Sequence, residues 1–530
     1  MELWSPPVAL SKQEAFLMKR LTRVRTLFGF LRLRRHELFD EAFQQRLFAM
    51  YRDTGAGEAP NCPALMCMVI VLQGYVGASD AEAVEMALVD LRWQMVLDCA
   101  GASEPVFSQG ALQAFRERLI ECDMDRELLD KTVELVRAGS VTKAEGTALS
   151  KAIRVAIDSR PLAGAGRVED TLNLLGHAAR KIVELVSKIT GRETHEIARK
   201  AGIPLLLAPS IKAGLDIDWS DSKQKAAAIE CVERQVSSLQ RWVERNLDEV
   251  VERPLQPYID AIIQVRNQDL ETGADGRIGI RQGVAPDRRI SIEDAEMRHG
   301  RKSKSKRFDG YKEHIGRDLD LPVIVGCAVT PANRPEEEGA APIGADIARQ
   351  GLSIAELHVD RAYVNSPLVH EVLRAKGLVL AKPWGRRSRA EELYSKQDFK
   401  LNLRAKTITC PAGEVEHFEP GTTVEFDPEA CGRCAVRGQC TRAASGRGRT
   451  VSISEDEAIQ KRFRSLQQTS SGRQELRERT KVEHALAHIA ARKGATARYL
   501  GVRKNLFDLR RSAAIQNLEA AFRLATLKAA

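Results

Sequence analysis

The sequence predicts an α/β fold: a mixed sheet carrying carboxylates, set among helical segments. Three observations predict it. The run Ile153-Arg-Val-Ala-Ile-Asp158-Ser159 reads as a short apolar, β-branched strand that delivers an acid to its end, just before a Pro/Gly-rich turn at 161–166. The stretch 354–381 reads as strand, helix, strand, with Asp360 closing the first strand, and that spacing makes a βαβ unit with parallel pairing. Elsewhere apolar residues recur at helical spacing.

At 530 residues the chain exceeds one ordinary core, so several domains are expected. With 43% hydrophobic and 29% charged residues, the composition is that of a globular protein. A net charge of +9 favours a polyanionic partner where the charge is clustered. The N-terminal residues lack the apolar core of a signal peptide, and the apolar run at 65–72 is far short of the roughly 18 residues a membrane span needs. A cytoplasmic protein with no membrane contact is expected. Ten cysteines in that compartment read as thiols or metal ligands. Cys62, Cys67, Cys99, Cys122, Cys231 and Cys327 fall in apolar patterns and are expected as buried packing residues.

Residues 1–150 read as a helical N-terminal domain. Between 11 and 36, Lys12, Lys19, Arg20, Arg23, Arg25, Arg32, Arg34 and Arg35 stand against one acid, Glu14. Such a basic amphipathic stretch suits a DNA backbone, and it also fits a solvated face packed on a core. Ser79-Asp-Ala-Glu82 has the form of a capping box. The main α/β domain is expected from 151–166, 291–384 and 473–530. Residues 167–290 make a helical insertion, in which Ile229 to Val250 recur at steps of three and four until Pro254 stops the helix. From 298 the chain turns basic, through Arg298, Arg301, Lys302, Lys304, Lys306 and Arg307 to Tyr311 and Lys312. This reads as a β-hairpin running into the sheet, placed to hold phosphates.

Residues 385–472 break the α/β rhythm with short strand-like pieces and four cysteines, Cys410, Cys431, Cys434 and Cys440. They admit two readings: a closed, structural tetrahedral zinc site, with His417 as a substitute ligand, or reduced thiols. The last segment carries an apolar stripe, Val482, Ala485, Leu486 and Ile489, with Arg479 and Glu483 one turn apart along its flank. Gly494 ends that helix, a basic stretch with Arg503 and Lys504 follows, and a final helix runs to about 528.

Asp158 and Asp360 close strands, and Glu483 lies on a helix. Phosphoryl transfer from DNA uses two hard divalent cations held by carboxylate oxygens, and three such acids can supply them. Singly, each acid also reads as a cap or a solvated residue; the combined order, with basic segments on either side, favours a site.

These motifs together resemble the DDE transposases of bacterial insertion sequences, in the group with a cysteine-containing insert before the final acidic helix. Phe39-Asp-Glu-Ala-Phe43 through Phe115-Arg-Glu-Arg-Leu119 is similar to the helical domain ahead of their catalytic domain. Val155-Ala-Ile-Asp158 is similar to the first-acid strand, Lys306-Arg-Phe-Asp-Gly-Tyr-Lys312 to the middle hairpin, and His358-Val-Asp360-Arg-Ala-Tyr363 to the second-acid motif. Arg479-Thr-Lys-Val-Glu483-His484 resembles the third, followed by Tyr499-Leu-Gly-Val-Arg-Lys504. The resemblance implies an RNase H-like catalytic domain, catalytic Asp158, Asp360 and Glu483, dependence on two Mg²⁺ or Mn²⁺ ions, and cleavage and strand transfer at terminal inverted repeats. It implies double-stranded DNA as partner, contacted by Arg20, Arg23, Arg25, Arg301, Lys302, Lys304, Lys306, Arg307, Tyr311, Lys312, Arg479, Arg503 and Lys504, and a homodimer on that DNA. Two departures stand out. Leu476 occupies the place of a Tyr found in many relatives, and Ser159-Arg160-Pro161 follows the first acid. The other functional readings are a catalytically inactive DNA-binding derivative and a metal-dependent nuclease without joining activity.

Overall fold

The computed structural model describes residues 2–21, 26–51, 60–140, 149–248, 253–274, 276–303, 305–383 and 393–529. Its centre is a six-stranded mixed sheet built from β1 (Ala152–Ala163), β4 (Arg298–Arg301), β5 (Arg307–Asp318), β6 (Ile324–Pro331), β7 (Ser353–Val359) and β8 (Leu378–Ala381). The strand order is β4-β5-β1-β7-β8, with β6 paired to β5 farther along its length. β1 runs antiparallel to β5 and parallel to β7, and β7 runs parallel to β8. The βαβ unit expected at 354–381 is present, its helix being Pro367–Arg374 with Pro367 in the first turn. β5 forms the expected hairpin with β4 and then pairs with β6.

Asp158 does not close its strand as expected. β1 runs on through Pro161 to Ala163, because β5 continues beside it as far as Gly310. What ends near Asp158 is the pairing with β7, whose last pair is Ile157 with Val359. The acid therefore lies where the sheet splits, covered on one side only.

Eight helices, from Lys12–Arg20 to Met124–Ser140, are described before the sheet. Pro63–Val76 is apolar on all sides and sits at their centre, with Met66 to Leu72 wholly buried. Ser79 forms the predicted capping box with Glu82. The buried side chains of these helices and of the sheet form one continuous core. The boundary expected at residue 150 is thus not marked by a gap in the core. The C-terminal helix, Val502–Ala529, joins the two parts by packing on Met124–Ser140, Pro63–Val76 and β6. No single described helix is long and apolar enough to cross a membrane.

Two further clusters stand apart from this core. One gathers Leu172 to Ile292 around the helices Thr171–Thr190, Ser222–Asn246 and Gln256–Asp269, with the small hairpin β2 (Leu270–Thr272) and β3 (Ile278–Ile280). The long amphipathic helix ends at Asn246, earlier than Pro254, with Ile229, Val232, Val236, Leu239 and Val243 buried as predicted. The other cluster is small: eight buried residues including Phe399, Ile408, Phe426 and Cys440, held by the three-residue strands β9 (Lys400–Asn402), β10 (Thr407–Thr409), β11 (Val415–His417), β12 (Thr423–Glu425) and β13 (Thr450–Ser452).

Candidate active site

The bulge in the β1–β7 ladder sets the geometry of the first two acids. The register changes between Ile153 and Arg154, so Ile153 faces Ile354 but Arg154 faces Glu356. One extra residue, Ala355, is absorbed there. Past the bulge Ala156 faces His358 and Ile157 faces Val359. Continued by one residue, that register sets Asp158 beside Asp360. Without the bulge, Asp158 would stand beside Val359, and the two acids would lie out of step.

The third acid comes from the helix Thr480–Lys493, which packs on β1 and β5. Val482, Ala485, Leu486 and Ile489 are buried beneath it, as the stripe predicted, and this turns Glu483 to the flank, exposed. Arg479, one turn earlier, spans the gap between two acids. One guanidinium nitrogen donates to Asp158 Oδ2 at 2.7 Å and the other to Glu483 Oε1 at 2.6 Å. Asp158 Oδ1 accepts the Ser159 N–H at 2.9 Å. Burial pushes the Asp158 carboxyl above its ordinary value; Arg479 and the Ser159 N–H oppose this, while the carboxylates of Glu483 and Asp360 add to the rise. The three acids thus share one electrostatic environment.

Two supporting groups escaped the sequence reading. On the helix-covered face, Arg160 of β1 donates to Glu313 of β5 at 2.6 Å, and Lys493 bonds the other Glu313 oxygen at 2.5 Å. Lys493 also pairs with Asp508 at 2.9 Å, which accepts from Arg511. Glu313 and Asp508 are fully buried. Burial works against the charge of Asp508, but Arg511 and Lys493 hold its pKa down to about 2. This network clamps both C-terminal helices to the sheet beside Asp158. The alternation of Tyr311, Glu313 and Ile315 on β5 was the available signal for Glu313.

On the opposite face, the turn after Asp360 is anchored from below. Tyr363 donates its backbone N–H to the Asp360 carbonyl at 3.0 Å and buries its ring. Its hydroxyl lies 2.6 Å from His314 Nδ1, and His314 Nε2 lies 2.9 Å from the Thr330 hydroxyl. Burial, and secondarily Lys312, lower the His314 pKa to about 3, so this histidine is neutral.

Donor chemistry at the acids suits a hard divalent cation: three carboxylates, one of them raised chiefly by burial and further by the other two. Among the described residues no three His, Cys, Asp or Glu side chains stand as a formed metal-ligand group. At the acids, Arg479 pairs with both Asp158 and Glu483. The four cysteines of the 385–472 segment are unbridged neighbours. Burial raises the Cys440 thiol, Arg449 opposes it, and Cys431, Cys410 and Cys434 raise it further. Cys410 opens a tight turn in which Gly413 N donates to its carbonyl at 3.0 Å. His417 lies exposed on β11.

The residues expected to contact DNA divide into three groups. Arg301, Lys302, Lys306 and Arg307 are exposed at the end of the β4–β5 hairpin, Lys504 is exposed, and Arg20 lies exposed over the Phe16 ring. Arg23, Arg25 and Lys304 lie outside the described residues. Several others are corrected. Tyr311 is fully buried; its hydroxyl donates to Asp294 at 2.5 Å and accepts from Gly501 N at 3.2 Å, because strand alternation points it inward. Lys312 spends its ammonium on the Arg334 carbonyl at 2.6 Å. Arg503 is engaged by Asp123, Asp125 and the Ile120 carbonyl, so it fastens the C-terminal helix to the N-terminal helices. Arg32 and Arg35 are likewise buried, Arg32 on Glu14 and Arg35 on the carbonyls of Met95, Val96 and Pro7. Of the six cysteines expected in packing, Cys67 and Cys327 are buried, but Cys122 is exposed at the end of the helix Gln109–Glu121.

The fold is a mixed α/β sheet with carboxylates near its split and a further acid on the helix packed above it. Residues 409–522, which include Glu483 and the four cysteines, match the family model of the transposase DDE domain. That segment, about a fifth of the chain, is similar to the transposase DDE domain. Neither a curated protein nor a solved structure matches the chain.

Proposed function

We propose that this protein is a transposase that binds the terminal inverted repeats of its insertion sequence, cleaves the DNA there and joins the freed end to target DNA. The observation that carries the reading is the register-shifted β1–β7 pair beside the Glu483 helix, which brings two strand acids and one helix acid into a single electrostatic environment. The sheet with its flanking helices is read as an RNase H-like catalytic domain. Asp158, Asp360 and Glu483 would hold two Mg²⁺ or Mn²⁺ ions. When bound, these make water or a 3′-hydroxyl nucleophilic and neutralise charge at the phosphate.

The protein's own groups do the rest. The exposed Arg301, Lys302, Lys306 and Arg307 hold the DNA backbone beside the sheet. The buried Tyr363–His314 pair keeps the turn after Asp360 in place, so the acid enters the site pre-oriented. Arg160, Glu313 and Lys493 fix the helix that carries Glu483. We further infer a structural zinc ion on Cys410, Cys431, Cys434 and Cys440, since a module with eight buried core residues needs a staple. A homodimer on DNA, acting in the cytoplasm, completes the reading.

The test is cleavage and joining of inverted-repeat DNA with Mg²⁺ or Mn²⁺. Asp158→Asn, Asp360→Asn and Glu483→Gln should each reduce cleavage at least about 100-fold while DNA binding is retained. Unchanged cleavage in all three sinks the site assignment. Cleavage without joined products would make the protein a nuclease, and binding without cleavage a DNA-binding derivative.

A further inference from the structure

The position of Arg479 differs from that of a residue waiting for DNA. Its side chain is 18% exposed, and its guanidinium lies against the oxygens of both Asp158 and Glu483, at 2.7 and 2.6 Å. A second cation cannot take those same oxygens while the fork is in place, and a guanidinium repels a divalent ion at such range. The other Asp158 oxygen accepts the Ser159 N–H at 2.9 Å. The neighbouring cations are committed elsewhere: Arg160 and Lys493 to Glu313, and Lys481 to Glu478 and the Leu319 carbonyl.

We propose that Arg479 is an internal counter-cation that holds Asp158 and Glu483 together in the free protein and must swing away before a divalent ion is bound. The proposal rests on the reading of these acids as cation ligands. It makes Arg479 a positioning residue whose two states are distinct: on the acids without metal, and off them with metal. The geometry leaves room for the exchange, since Arg479 sits at the start of the helix and Glu483 is exposed. Metal loading is then coupled to whatever offers the guanidinium another anion. A DNA phosphate is the anion this site would meet, so DNA and metal are expected to bind with positive cooperativity.

The experiment is titration of the full-length protein with Mn²⁺ alone, without DNA, followed by calorimetry or by the Mn²⁺ electron paramagnetic signal. Removing the guanidinium in Arg479→Gln should tighten Mn²⁺ binding on the order of tenfold. Arg479→Lys, which keeps a charge but not the two-armed fork, should fall between that variant and the unaltered protein. With inverted-repeat DNA present, the unaltered protein should gain Mn²⁺ affinity and Arg479→Gln should gain less. Asp158→Asn and Glu483→Gln are titrated in parallel. Loss of Mn²⁺ binding in these two, with no tightening in either Arg479 variant, overturns the counter-cation role and leaves the site standing. Mn²⁺ binding indifferent to both acid variants overturns the reading of the site itself. Should Arg479→Gln fail to fold by circular dichroism, Arg479→Lys decides, and binding no tighter than that of the unaltered protein is the overturning result.

Discussion

His314 shows how much of the site is held by groups without charge. It is fully buried beneath Tyr363 and Thr330, its ring rests against Gly339, and its pKa lies near 3. The folded state therefore refuses a proton that the unfolded chain accepts near pH 6.5. A depressed histidine pKa makes stability rise with pH across the interval from about 3 to 6.5, and fall as pH drops through it. The unaltered protein should lose about 2 kcal/mol more than a His314→Gln variant between pH 7 and pH 5. Urea midpoints at the two pH values give the comparison, and parallel losses would refute it. At this scale the sequence was a good guide to residue type and a poor one to partner. The three acids were proposed from expected places at strand ends and on a helix flank, although β1 runs on past Asp158 to Ala163. Tyr311 was misread as a DNA contact because it follows a basic run, whereas strand alternation turns it to Asp294.

Between elements, close approach is the governing constraint. Gly310 has φ +145°, and a Cβ there would stand 2.3 Å from Gly164 N and from the Leu162 carbonyl. It lies opposite Ala163, where β5 keeps β1 in the sheet beyond Asp158. Gly310→Ala should therefore cost about 2–4 kcal/mol, seen as a lowered urea midpoint, and should reduce cleavage as well. The cysteine-bearing module follows a different rule. Its strands are three residues long and its core is small, so its order is expected to depend on its thiols. Purified protein should carry about one zinc per chain, and Cys431→Ser should release it and lower the module's protease resistance. Zinc well below half an equivalent, with the variant unaffected, would refute this. The short strands and the CxxC were legible locally; where Cys410 stands relative to Cys431, Cys434 and Cys440 depends on how those strands pair.

Across the whole molecule, the C-terminal helix is the fastener. Asn517, fully buried, accepts the Ile324 N–H at 2.8 Å and donates to the Ile324 carbonyl at 2.9 Å, so it completes the edge of β6 as a strand would. The same amide reaches Thr132 of the N-terminal helices at 3.1 Å. Asn517→Leu keeps the volume but strands a buried N–H and C=O, and should destabilise the protein by about 3 kcal/mol. Because one core spans the helices and the sheet, unfolding should remain a single transition for both; a separate early transition of residues 1–140 would contradict the shared core. The basic tail read as a DNA-binding surface is partly this fastener: Arg503 and Arg510 pair with Asp123 and Asp125 of the N-terminal part.

By itself the sequence determined the mixed α/β class, the βαβ unit and the helix bearing Glu483. Each of these rests on local periodicity and on the short reach of strands, helices and caps, which neighbouring residues specify. Tertiary structure alone decided that Asp158 and Asp360 align, because that depends on a one-residue bulge at Ala355, and periodicity along one strand carries no register between strands. It also decided which basic residues are exposed and which are spent inside, because a carboxylate partner hundreds of positions away leaves no trace beside the arginine. Arg479 joins both: its place one turn before Glu483 was legible, and its grip on Asp158, 321 residues away, was not.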